Sequence, residues 1–116
     1  MKRKKAPKVS VVVPSYNKEK DLLACLQSIK DNKYPNLEVV VALNGCLDGS
    51  EKSVKTFFPQ FKLIISKKAL GSARATNFGI KSISKDTDYL FLLDDDCILE
   101  KNAILELVNA INDRPE

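Results

Sequence analysis

The chain has 116 residues, 44% hydrophobic and 29% charged, a length and composition that suit one small soluble α/β domain and leave no room for two. No apolar run approaches the roughly 18 residues of a membrane span, and no apolar segment with a small-residue cleavage site follows the basic N-terminus. The net charge of +4 excludes little, because Lys2, Arg3, Lys4, Lys5 and Lys8 sit in one tail; without them 14 of the 19 basic residues remain against 15 acidic ones.

Residues 1–8 therefore read as a basic, disordered tail. It is either solvating or weakly drawn to anionic lipid or nucleic acid, and no specific nucleic-acid partner is expected. The expected location is the cytoplasm, with membrane attachment through a further region or a partner left open. Histidine is absent, and Cys25, Cys46 and Cys97 show no CxxC spacing. A zinc site and a His-based triad are thereby excluded. Cys25 reads as a small core residue, the other two as free loop thiols.

Residues 8–13 (KVSVVV) are β-branched and closed by Pro14, which predicts a buried strand. Residues 18–32 predict a helix, with Leu22, Cys25, Leu26 and Ile29 at helical spacing. After a Tyr34-Pro35-Asn36 turn, residues 37–43 (LEVVVAL) predict a second strand ended by Asn44-Gly45. Ser50 caps a short helix that stops at Phe58-Pro59. Residues 62–66 (KLIIS) form the third strand, and Gly71 opens a helix over 72–84. Residues 89–93 (YLFLL) predict a fourth, buried strand ending in Asp94-Asp95-Asp96. The last helix spans 101–112, with Ile104, Leu107, Val108 and Ile111 on its apolar side.

Four strand-helix alternations predict a mainly parallel sheet with helices on both faces, a three-layer α/β/α sandwich. Ligands of such sheets bind beyond the carboxyl ends of the strands. The segments there are residues 14–17 (PSYN), 44–50 (NGCLDGS), 69–74 (ALGSAR) and 94–96 (DDD). Together they supply a ring, amides, glycines, an arginine and carboxylates, the parts needed for a nucleoside diphosphate with a bridging metal.

Each part has two readings. The acidic triplet is a Mg²⁺ or Mn²⁺ site, with Asp94 and Asp96 turned the same way, or a solvated acidic turn before a helix. Tyr16 stacks on a base or packs in its loop. Asn44 reads a base edge or makes a turn before Gly45. Arg74 meets phosphate or solvent. Gly71 and Gly79 have helix-start and close-packing readings. No P-loop or GxGxxG fingerprint occurs, which counts against ATPase and dehydrogenase functions.

Taken together, the segments resemble the family 2 glycosyltransferases of the GT-A (nucleotide-diphospho-sugar transferase) fold. The stretch 9–17 (VSVVVPSYN) resembles the family's opening strand and loop, and Leu22, Cys25, Leu26, Ser28 and Ile29 its first helix. Residues 34–41 (YPNLEVVV) resemble the next turn and strand. Gly71, Ala75, Asn77 and Gly79 match a Gly-x-x-x-Ala-x-Asn-x-Gly pattern, and Asp94-Asp95-Asp96 the DxD metal motif.

The resemblance implies residues 9–116 as the donor-binding half of a GT-A domain, with strand order 3-2-1-4. It implies transfer of a sugar from a UDP- or GDP-sugar to a sugar, lipid or protein hydroxyl, with Mg²⁺ or Mn²⁺. The candidate donor contacts are Pro14, Tyr16, Asn17, Asn44, Asp48, Arg74, Asp94 and Asp95; Asp96 and Asp94 are the candidate metal ligands. Asn44 stands where the family carries an aspartate that reads the base, and Thr76 where it often has arginine, which leaves the base open. The family's acceptor site and catalytic carboxylate belong to its second half. Glu100 and Glu106 read as last-helix residues, so no catalytic base is assigned and the chain alone is expected to transfer nothing and to self-associate or join a C-terminal catalytic portion. The rival from another class is a non-catalytic nucleotide or nucleotide-sugar binding module. A receiver domain is disfavoured, since paired acids are missing after the first strand.

Overall fold

The computed structural model describes residues 6–113. Strand and helix alternate four times: β1 (Val9–Ser15), α1 (Glu19–Asp31), β2 (Leu37–Asn44), α2 (Ser50–Phe57), β3 (Lys62–Ser66), α3 (Ser72–Ile80), β4 (Tyr89–Leu92) and α4 (Ala103–Asn112). The strands pair in parallel in the order β3-β2-β1-β4, as expected. Val11 lies between Val39 on β2 and Phe91 on β4.

Alternate residues of each strand face opposite layers. Val9, Val11, Val13, Val39, Val41 and Leu43 pack with Leu22, Cys25, Leu26 and Ile29 of α1, Val54 of α2 and Ile104 and Val108 of α4. Burial of each such Leu, Ile or Val contributes about 1.5–3 kcal/mol. The other face carries Val12 and Ala42 and is covered by α3. There Gly79 has no room for a side chain, because a Cβ would lie 2.4 Å from Val12 Cγ1.

The amino ends of the strands are held by polar groups. Ser10 Oγ, Ser84 N–H and Ser84 Oγ all donate to the Glu38 carboxylate, at 2.8, 2.9 and 3.0 Å. Burial alone would raise the Glu38 carboxyl, but these hydrogen bonds and nearby Lys8 outweigh it and hold it below its ordinary value. Residues 6–8 of the expected tail are tied down here. Tyr34 donates to the Pro7 carbonyl at 2.6 Å, and Lys8 donates from its backbone to Asp88 and from Nζ to Asp86. The rest of that tail, residues 1–5, lies outside the described residues.

Several expectations need correction. Helix α3 ends at Ile80, not 84, since Glu38 draws Ser84 off the helix axis. Helix α4 starts at Ala103, after Asn102 in a left-handed conformation (φ 70°). Strand β4 is only partly buried, through Tyr89 and Phe91 on one face, and Leu90 and Leu92 on the other are 38% and 54% exposed, because α3 covers β1 and β2. Leu107 and Ile111 of α4 are likewise exposed, while Ile104 and Val108 are buried. No helix among the described residues is long and apolar enough to cross a membrane.

Candidate functional site

Parallel strands carry all four following loops to one end of the sheet, and a cavity of about 640 Å³ opens there. Its walls are Pro14, Ser15, Tyr16 and Lys18 from the β1 loop and Asn44 from β2. Ala69, Gly71, Ser72 and Ala75 come from the β3 loop and the start of α3, and Asp94, Asp95 and Asp96 from the β4 loop. The volume is within the range of small-molecule sites.

The triplet divides its work. Asp95 is half-buried and its Oδ2 accepts from Ser15 Oγ at 2.8 Å, which fastens the turn to the end of β1. Asp94 and Asp96 flank it in the turn and are exposed. Beneath them the Asp94 carbonyl accepts from Cys97 N–H at 3.1 Å and from Cys25 Sγ at 3.6 Å. Burial, followed by neighbouring Cys97 and the three aspartates, pushes the Cys25 thiol up to about 12. That thiol is an inert core group. Among the described residues no three His, Cys, Asp or Glu side chains converge into a ready-made metal cage.

The β1 and β2 ends form the opposite wall. Ser15 pairs with Leu43, and the residues that follow them, Tyr16 and Asn44, both line the cavity. Tyr16 is half-exposed and free to offer its ring, whereas Asn44 is 8% exposed. Asn44 Oδ1 accepts from Leu70 N–H at 2.5 Å. Gly45 follows at φ 68° and abuts the same loop, since a Cβ there would lie 2.6 Å from Ala69 N. The first turn of α3, opened by Gly71 at φ 82°, lines the cavity through Gly71, Ser72 and Ala75.

Pro14, Tyr16, Asn44, Asp94, Asp95 and Asp96 thus converge on one cavity, and Asn17, Asp48 and Arg74 lie outside its lining. Asn17 Oδ1 accepts from Leu47 N–H at 2.6 Å, and its own N–H meets Cys46 Sγ. Asp48 accepts from Ser50 N–H and Glu19 N–H, at 3.0 and 3.1 Å. Burial would raise its carboxyl; the hydrogen bonds from Ser50 and Glu19 outweigh that and lower it. Asp48 therefore satisfies the first amide of α2 and ties the β1 and β2 loops together. Arg74 is exposed on α3. Lys18 is a wall residue outside the segments that the sequence marked, and Ala69 and Ser72 lie within the 69–74 segment but were not assigned as donor contacts. Their one signal was position, each being within a few residues of a strand's carboxyl end.

The model of glycosyl transferase family 2 matches residues 10–116. Glycosyltransferase GlyG of Streptococcus pneumoniae serotype 4 is 31% identical over 109 residues, 91% of this chain and 36% of that protein. Mannosyltransferase PcManGT from Pyrobaculum calidifontis, solved in complex with GDP-Man and Mn²⁺, superposes with a TM-score of 0.79 at 25% identity, over 95% of this chain and 33% of its own. S. aureus TarS 1-349, solved in complex with UDP-GlcNAc, gives 0.75 at 25% identity, over 91% and 31%. The chain spans about a third of the length of each.

Proposed function

The chain belongs to glycosyl transferase family 2, with a GT-A fold, and from that premise we propose that it is the donor-binding part of a metal-dependent glycosyltransferase. The reaction is transfer of a sugar from a UDP- or GDP-sugar to an acceptor hydroxyl. The observation that carries the reading is the convergence of an aromatic ring, a buried amide, a helix N-terminus and an acidic triplet on one cavity.

The aspartates fit a hard divalent cation. Two exposed carboxylates, Asp94 and Asp96, with a third immobilised on Ser15, suit Mg²⁺ or Mn²⁺, which take few protein ligands and complete their shell with water and phosphate oxygens. Bound there, the cation would neutralise charge on the diphosphate leaving group. The α3 amides and Lys18 oppose the same charge from the other wall, and Tyr16 supplies a stacking surface for the base. Asn17 and Asp48 act by holding loops rather than by touching donor. Relatives solved with GDP-Man and Mn²⁺ and with UDP-GlcNAc support the donor class. Glu100 and Glu106 do not line the cavity, and no group is assigned to take the acceptor proton.

Calorimetric titration of the chain with UDP and with GDP, each with Mn²⁺, tests the reading. Saturable one-site binding is expected. Absence of binding by either nucleotide overturns it.

A further inference from the structure

We propose that Ser28 and Asn32 of α1 are positioning residues for the acidic triplet: two buried side chains that hold the loop after it, residues 97–102, and thereby fix where Asp94 and Asp96 meet a divalent cation. The inference rests on the metal-dependent donor reading above and adds the groups that set the geometry of its metal ligands.

Cys25, Ser28 and Asn32 recur at positions i, i+3 and i+7 of α1 and its cap, and so form one stripe of the helix. The chain beyond β4 runs along this stripe and is gripped at each step. Cys25 Sγ donates to the Asp94 carbonyl at 3.6 Å, and Ser28 Oγ accepts from Leu99 N–H at 3.0 Å. Asn32 Nδ2 donates to the Glu100 carbonyl at 3.2 Å, and its Oδ1 accepts from Ile104 N–H, in the first turn of α4, at 2.9 Å.

Both side chains are aimed by a second bond to their own helix. Ser28 has one hydroxyl proton and donates it to the Cys25 carbonyl at 2.7 Å, so only lone pairs remain, and an N–H is what they can take. Asn32 spends one amide proton on the Ser28 carbonyl at 2.9 Å, which turns the other towards Glu100. Ser28 and Asn32 are each 8% exposed, so water does not readily replace a bond that is lost.

The triplet is therefore suspended between fixed points. Upstream, Leu93 N–H is bound to the Val12 carbonyl and Asp95 to Ser15. The carboxylates of Asp94 and Asp96 make no hydrogen bond or ion pair among the described residues, and they take their places from the backbone. Downstream, past the turn that closes at Cys97, the next hold is Leu99 on Ser28, and Glu100 on Asn32 follows at once. Metal ligands bind well only when their own supports keep them in place, and supporting groups set affinity much as the ligands do. Released at Leu99 or Glu100, the segment keeps its carboxylates but spreads their positions, and each cation that binds must order it again.

The test is calorimetry of UDP and of GDP on the full chain, each with Mn²⁺ and with EDTA, for wild type, Ser28→Ala, Asn32→Asp and Val54→Ala. The readout is the factor by which Mn²⁺ tightens nucleotide binding. A role in the fold alone changes the fraction folded and the melting temperature but not that factor. Ser28→Ala removes the hold on Leu99. Asn32→Asp removes the hold on Glu100 and keeps an acceptor for Ile104 N–H. Each is expected to cut the Mn²⁺ factor about three- to tenfold, the worth of one hydrogen bond, with binding in EDTA unchanged. Val54→Ala opens the core beneath α2 and is expected to melt lower while keeping the wild-type factor. If Ser28→Ala does not fold, Asn32→Asp decides. A wild-type factor in either variant once folded, an equal loss in Val54→Ala, or failure of both loop variants to fold overturns the inference and leaves the metal site standing. Wild-type binding that is absent, or indifferent to Mn²⁺, overturns the metal-dependent reading itself, and the inference with it.

Discussion

Ser15 Oγ donates a 2.8 Å hydrogen bond to Asp95 Oδ2, joining the last residue of β1 to the middle of an acidic triplet 80 positions later. The bond fixes the middle carboxylate so that its two neighbours keep their side chains in the cavity mouth. Removing it with Ser15→Ala leaves Asp95 half-buried and short of a partner. The expected cost is about 1–2 kcal/mol of stability by urea denaturation. Weaker Mn²⁺-dependent nucleotide binding is expected alongside. Lost stability with unchanged affinity would mean that the tie supports the fold alone.

On the proposed reading, Asp96 and Asp94 carry metal while Asp95 is held by the Ser15 hydroxyl. Nucleoside diphosphate should bind the wild type with Mn²⁺ or Mg²⁺ and lose affinity in EDTA. Asp96→Ala should bind weakly and respond little to either condition. Because Asp96 is exposed, the variant should melt close to the wild type. Equal affinity in all these conditions, measured by calorimetry, would dispose of the metal.

Tyr16 is 51% exposed, so its ring contributes little to the core. Tyr16→Ala is expected to weaken nucleotide binding by about 1–3 kcal/mol, the range for base stacking on an aromatic side chain. Its melting curve should overlay that of the wild type. A variant that binds as well as the wild type would make Tyr16 a loop residue with no part in recognition.

The amino-end clamp predicts a pH dependence. Hydrogen bonds from Ser10 and Ser84 lower the folded-state Glu38 carboxyl below its ordinary value of 4.5. A depressed carboxyl stabilises the fold fully above the unfolded value, and that stability is lost as pH falls through the folded value. Melting temperature should therefore decline below pH 4.5. Glu38→Gln should lower stability near neutrality by about 1–3 kcal/mol and flatten the acid limb. Identical acid limbs in wild type and variant would acquit Glu38.

Much of this was legible in the chain itself. Strand-helix alternation gave the three layers, and strand ends gave the cavity, since parallel pairing sends every following loop the same way. The order of the strands came through the resemblance rather than from periodicity. Periodicity identifies an apolar face but not what covers it, which is why Leu90, Leu92, Leu107 and Ile111 were expected inside and are found exposed. Asp48 illustrates a second limit. Its neighbourhood in sequence is the site, yet both its oxygens are taken by the backbone of Ser50 and Glu19. Which polar side chains are free to meet a ligand depends on long-range hydrogen bonds that no local pattern records.

The two ends of the sheet are separated by the length of β1, seven residues and so roughly 20 Å. The Glu38 clamp occupies one end and the cavity the other, with a close-packed stack of valines between them. Free-energy changes at sites so far apart with no shared partner sum independently. Stability and ligand preference are therefore separable traits in this molecule. Thermostabilising substitutions at the clamp can be combined with re-engineered loops around Tyr16, Asn44 and Leu70 without one set eroding the other.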